Sequence, residues 1–234
     1  MKIFNFKNKI IGQILFVIIF LSTSSAHSLD KFYKSERVSD YFSGIILLND
    51  NQYENSLKYL KRLEGLEINH KNYSVKYLYS LVNSGNFKEA FNYSKKLEKH
   101  NLDTYESHLV SGIFYLKNSN IDRAKKFFYK ANNKNPSLVL NNYVSKSLYN
   151  WSNLTNFNQG EQDLKKINAR FKNLKKIQNA FLNCYFNNPN TNQLFTEILS
   201  NQSTDFSRYN YFHASYFASI GKIQDATKII NSAL

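Results

Sequence analysis

Asn120-Ile121-Asp122-Arg123-Ala124-Lys125 repeats a phrase that the chain has already used twice, as Asn86-Phe87-Lys88-Glu89-Ala90-Phe91 and as Gln52-Tyr53-Glu54-Asn55-Ser56-Leu57. Tyr53, Phe87 and Ile121 follow one another at equal intervals, and Ser56, Ala90 and Ala124 keep the same interval. Each unit reads as an apolar-periodic stretch, a polar Asn/Gly/Ser turn and a second apolar-periodic stretch, which predicts a helical hairpin. Gly44 and Gly112 lie two periods apart, each twelve positions before the small residue of its own unit. Small residues at these places predict helices whose backbones approach closely. One hairpin cannot bury its apolar face alone, so several must stack. The expected fold class is all-α, an α-solenoid of antiparallel helical hairpins.

The units resemble the tetratricopeptide repeat family, whose repeat is a 34-residue helix–turn–helix, the same period as here. The third unit carries Gly112, Tyr115, Ala124, Phe128, Ala131 and Pro136 at the family's positions. The second keeps Gly85, Phe87 and Ala90 but has Leu78 where a small residue is usual, and it lacks the Pro. The first has Gly44, Leu47 and Tyr53, with Ser56 in place of Ala. The resemblance implies three hairpins over 35–136 in a tetratricopeptide-like superhelix, with further degenerate hairpins over 137–234. In that second part, 138–151 reads as a first helix, the polar stretch 152–160 breaks the repeat register, and Asn187-Asn188-Pro189-Asn190 is a turn. A short helix is expected over 192–199, and Asp205 is a helix cap. Ala214, Phe217, Gly221, Ile223, Ala226 and Ile230 return to the pattern, Ala226 lying three periods beyond Ala124. Leu234 falls inside an apolar helical stretch, which predicts either capping by oligomerisation or a longer array.

In the resembled family the first helix of each hairpin lines a concave surface. Carried over position by position, this nominates Tyr41, Ile45, Tyr79, Asn83, Ile113 and Lys117 as a groove for a helical or extended segment of a protein or peptide partner. Tyr79, Asn83 and Lys117 can donate hydrogen bonds there. The Lys/Asn set with which some members clamp a C-terminal carboxylate is not recognisable.

The N-terminus has a secretory pattern. Residues 1–9 are basic, 10–21 form an apolar run broken only by Gly12 and Gln13, and Ser24 and Ala26 sit where a signal peptidase reads. A signal peptide over 1–26 and an exported, periplasmic chain are expected. A membrane span needs about 20 apolar residues, more than this run supplies; an uncleaved inner-membrane anchor is the competing reading. Cys184 is the only cysteine, which excludes an intrachain disulfide. Its neighbours Phe181, Tyr185 and Phe186 predict a buried, inert thiol.

Net charge is +14, and removing Lys2, Lys7 and Lys9 with the leader lowers it to +11. Lys165, Lys166, Arg170, Lys172, Lys175 and Lys176 form the densest cationic stretch. With Leu164, Ile167, Phe171, Leu174 and Ile177 opposite, it reads as one amphipathic helix. Its cationic side is either a solvated face or a contact for an anionic envelope polymer or lipid. Nucleic acid is not an expected partner of an exported chain.

Catalytic patterns are missing. The sequence has no Gly-rich phosphate loop, HExxH, CxxC or GxSxG. No two of His27, His70, His100, His108 and His213 are spaced as paired metal ligands. Acidic residues are few, and Asp122 and Glu161 read as first-turn helix residues. Neither cofactor nor metal nor catalytic residue is nominated. The expected function is a non-catalytic exported scaffold for protein–protein interaction. The alternatives are the helical substrate-gripping part of a cell-wall enzyme of the lytic transglycosylase type, and a peripheral protein binding anionic envelope material.

Overall fold

Left-handed turns recur along the chain at the repeat interval. Asn51 (φ 59°), Gly85 (φ 79°) and Ser119 (φ 57°) are one period apart, and Asn187 (φ 52°) and Gly221 (φ 80°) continue the same count two and three periods on. At each, the next residue's N–H reaches back to close the helix before it. Gln52 donates to the Leu47 carbonyl, Asn86 to Leu81, Asn120 to Tyr115, Asn188 to Asn183 and Lys222 to Phe217, all at 2.8–2.9 Å. This is the Schellman closure, in which one residue at positive φ satisfies the carbonyls orphaned at a helix end.

The computed structural model describes residues 35–134, 138–200 and 206–233. The expected signal peptide over 1–26, Pro136 and the Asp205 cap lie outside the described residues. Among those described are twelve α-helices and no strand. They fall into two units, divided after Asp103. The first holds α1 (Ser35–Asn49), α2 (Tyr53–Leu60), α3 (Lys71–Asn83) and α4 (Phe87–Lys99). The second holds α5 (Tyr105–Lys117), α6 (Ile121–Lys134), α7 (Val139–Ser152), α8 (Phe157–Lys165), α9 (Lys172–Tyr185), α10 (Thr191–Leu199), α11 (Tyr209–Ser219) and α12 (Ile223–Ala233).

Within each hairpin the packing is set by small residues facing large ones. A Cβ on Gly44 of α1 would stand 2.7 Å from Leu60 of α2, and one on Gly112 of α5 would stand 2.4 Å from the Phe128 ring of α6. Leu78 and Ser94 occupy the matching positions of the second hairpin with the sizes exchanged, and both are buried. The Ser56 hydroxyl donates to the Gly44 carbonyl at 2.8 Å. Its one hydrogen being used, it accepts from Ser80 of the next hairpin at 3.1 Å. Ser56, Ala90 and Ala124 are fully buried, as their spacing predicts.

The repeat register runs through the middle of the chain, contrary to the break expected over 152–160. Ala180 and Ala214, both buried, stand two and three periods after Gly112 in their first helices. Only the second helices shift: α8 and α10 start at Phe157 and Thr191, two positions later than the period gives. Local capping causes the delay. Asn156 accepts from the Gln159 N–H at 2.9 Å and fixes the start of α8. Before α10, Asn188 accepts from the Asn190 N–H at 3.0 Å across Pro189. The small residue of the fourth hairpin is therefore Gly160, where a Cβ would meet Leu182 of α9 at 2.4 Å. Glu161, read as a first-turn residue, falls in the second turn, because the Asn156 cap starts α8 four positions before it.

Ile177, Ala180, Phe195 and Ile198 form one core cluster of the second unit, and Ala214, Tyr216, Phe217 and Ala226 form another. Cys184 packs against both, and partial burial raises its thiol above the ordinary range.

Candidate functional site

Tyr41 and Ile45 lie on α1, and Tyr79 and Asn83 on α3, the two first helices of the first unit; Ile45 is the counterpart of Tyr79, with Tyr41 one turn before it and Asn83 one turn after. Tyr41 is half-buried against His70, with ring centroids 5.1 Å apart, and burial raises its phenol. Ile45 is half-buried. Tyr79 is 51% exposed and meets the edge of Tyr53, with centroids 6.0 Å apart. Asn83 is at the rim of the same face, and its amide donates to the Tyr79 carbonyl at 2.8 Å. In the second unit Ile113, 47% exposed, and Lys117 take the same positions on α5. First helices α3 and α5 thus each present one apolar side chain and one hydrogen-bonding side chain to solvent. Burying an apolar side chain of this size stabilises a complex by about 1.5–3 kcal/mol before ordering costs.

The cationic stretch departs from its expected form. A single amphipathic helix is replaced by α8, a 3-10 turn over Ala169–Phe171 and α9. Asn168 causes the break: its backbone is extended, and its side chain accepts from the Arg170 N–H at 2.9 Å. Lys165, Lys166, Arg170, Lys172 and Lys176 are exposed, Lys175 is half-buried, and Leu174 on the supposed apolar side is 38% exposed. Ile167 and Phe171 turn instead toward α7.

Between α7 and this bend lies a cavity of about 240 Å³. Asn142, Lys146, Ser147 and Asn150 line it from α7; Asp163, Lys166, Asn168 and Phe171 line it from the other side. Tyr143 packs against Phe171 with centroids 4.5 Å apart and the rings tilted by 31°. Gln178 of α9 donates its amide to both the Tyr143 hydroxyl and the Ser147 hydroxyl. Burial raises the Tyr143 phenol, opposed by its hydrogen bonds from Ser147 and Gln178. Sequence reasoning found Lys166 and Phe171 but not the α7 residues, which sit some twenty positions upstream in a stretch with no marked charge.

The first unit has a cavity of similar size, about 220 Å³, lined by Lys61, Glu64, Tyr73, Tyr77, Glu89, Asn92, Tyr93 and Lys96. Its charges satisfy one another. Lys61 pairs with Glu89 at 3.0 Å, and Lys96 bridges Glu64 at 2.7 Å and the buried Glu67 at 2.9 Å. The Lys96 hydrogen bond holds the Glu64 carboxyl below its ordinary value. This network joins α4 to the turns after α2 and leaves neither of the two lysines unpaired.

Among solved structures, a tetratricopeptide repeat protein from Parabacteroides merdae superposes with a TM-score of 0.63 over 85% of this chain and 79% of its own, at 15% identity. This chain has the tetratricopeptide-repeat fold. MamA AMB-1 superposes at 0.41 (12% identity, 86% of this chain and 98% of that one). A chain of Naa15/Naa10 bound to HypK-THB superposes at 0.37 (18% identity, 84% and 31%). Both scores are below the level at which two chains share a fold. No protein-family model matches the sequence, and no curated protein does. The tetratricopeptide fold agrees with the regular count of the left-handed turns, which rests on none of these superpositions.

Proposed function

We propose that this chain is an exported, non-catalytic tetratricopeptide scaffold that holds a protein partner in the cell envelope on the exposed faces of its first helices. One observation carries the reading: Tyr79 and Ile113, at the same position of consecutive repeats, are each about half exposed, Tyr79 between buried Leu78 and Ser80 and Ile113 next to buried Gly112. An apolar side chain repeated outward at each unit, beside an amide or ammonium one turn on, suits an extended or helical segment. The secretory pattern over positions 1–26 supports the envelope as the place. The test is capture from envelope extract by the tagged chain, identified by mass spectrometry, compared with the Tyr79→Ala/Asn83→Ala variant. Loss of one salt-resistant partner supports the reading, and undiminished capture by the variant contradicts it.

A second reading is favoured by the exposure of five of the six cations between Lys165 and Lys176. They would meet an anionic envelope polymer or lipid. Such binding weakens steeply with salt; association with anionic vesicles that ignores ionic strength sinks it.

A further inference from the structure

The α7 cavity differs from its counterpart in the first unit in what it leaves unpaired. Lys166 is held by Asp163 at 3.1 Å, whereas Lys146 has no ion pair among the described residues. The cavity therefore has one positive charge in excess, with Arg170 and Lys172 exposed on its flank.

Its neutral groups are also biased. Gln178 gives its amide hydrogens to the Tyr143 and Ser147 oxygens and Ser147 gives its own to Tyr143, so of these two hydroxyls the Tyr143 one has its hydrogen left to give. Asn142, Asn150 and Asn168 add amide groups that can donate or accept. The unpaired ammonium, one hydroxyl hydrogen and the amides together call for a hydroxyl-bearing ligand that carries a negative charge. The Phe171 ring, packed at a tilt against Tyr143, supplies a flat apolar surface. At about 240 Å³ the space is smaller than a drug-sized pocket. It suits one six-membered ring or the end of a chain.

We infer that this cavity binds a carboxylate-bearing sugar unit, with Lys146 on the carboxylate, the asparagines and the Tyr143 and Ser147 hydroxyls on the sugar hydroxyls, and the sugar face on Phe171. The inference goes beyond the protein-partner reading, which stands or falls separately. It rests on the second reading only for the sign of the ligand's charge, and it gives that reading a specific address.

The experiment is calorimetric titration of the full chain with a tetrasaccharide of alternating glucuronic acid and N-acetylglucosamine. A neutral N-acetylglucosamine tetrasaccharide is the control, and Trp151, the only tryptophan and the residue after Asn150, gives a fluorescence readout. The acidic sugar is expected to bind and the neutral one not. Lys146→Gln, a change at an exposed side chain with circular dichroism as the check on folding, should weaken binding about tenfold. Lys172→Gln/Lys176→Gln, outside the lining, should leave it nearly unchanged at physiological ionic strength. No binding, equal binding of the neutral sugar, or no effect of Lys146→Gln overturns the inference. Equal losses in the two variants also overturn it, leaving diffuse surface attraction and the second reading intact.

Discussion

The Phe128 ring lies against the backbone of Gly112 so closely that a Cβ at 112 would stand 2.4 Å from its Cε1. The contact joins α5 to α6 at the centre of the third hairpin. Leu60 covers Gly44 in the same way two periods earlier.

Gly112→Ala should therefore destabilise the chain by about 1–3 kcal/mol, the usual cost of overpacking. Helix propensity opposes this, since Ala is favoured over Gly by about 1 kcal/mol inside a helix. The ring cannot move without opening the hairpin, so overpacking wins. The second hairpin supplies its own control. Gly112→Leu combined with Phe128→Ser recreates the Leu78 and Ser94 arrangement and should recover part of the loss. A urea titration of both variants checks this. A neutral single variant, or a double variant worse than the single, would count against the size-exchange account.

The left-handed turns give predictions of opposite sign. Nothing lies within 4 Å of a Cβ built on Gly221, so Gly221→Ala probes the backbone alone. It should cost about 1–2 kcal/mol, the penalty of positive φ for a residue with a Cβ. Ser119 already carries that penalty at φ 57°. Ser119→Gly should raise stability by up to about 1 kcal/mol, reduced by the freedom that Gly adds to the unfolded chain. Denaturant midpoints decide it, and a neutral Gly221→Ala would show the turn to be pliable.

How far the sequence revealed this fold depends on where local capping agrees with the period. Ala90, Ala124 and Ala226 follow the period without interruption, and those hairpins are legible from spacing alone. Asn156 and the Asn188-Pro189-Asn190 turn each delay a second helix by two positions, which moves Gly160 off the count and hides the fourth hairpin. Ala180 and Ala214 stayed on it; Ala214 is legible together with Ala226, but Ala180 without an in-register second helix is a weak signal. The basic stretch misled for another reason. Its apolar residues keep helical spacing straight across Asn168, and only the side-chain cap shows that the chain bends there. Of the α7 cavity, one wall was visible as charge. The other is built from asparagines in a chain full of asparagine, where composition masks function.

His213 links the last hairpin to pH. It is buried between Phe195 and Phe217, its Nε2 meets the Asn192 side-chain oxygen at 2.9 Å, and its Nδ1 has no partner. Burial lowers its pKa below the ordinary 6.5. Below that pH the unfolded chain takes up a proton that the folded chain refuses, so stability is full above 6.5 and falls as pH drops through the folded value. His213→Phe should flatten this decline while Phe stacks in the same slot. Urea midpoints compared at neutral and mildly acidic pH for both proteins give the answer; an unchanged slope in the variant would assign the decline to other groups.

The scaffold reading is tested most directly by photocrosslinking in the intact envelope. A photoreactive residue at position 79, on the exposed first-helix face, is compared with one at position 87, whose Phe is equally exposed (52%) on second helix α4. A discrete protein adduct from position 79 and none from 87 is the predicted result. Adducts from 87 alone, or the same pattern from both, would contradict a partner held on the first helices.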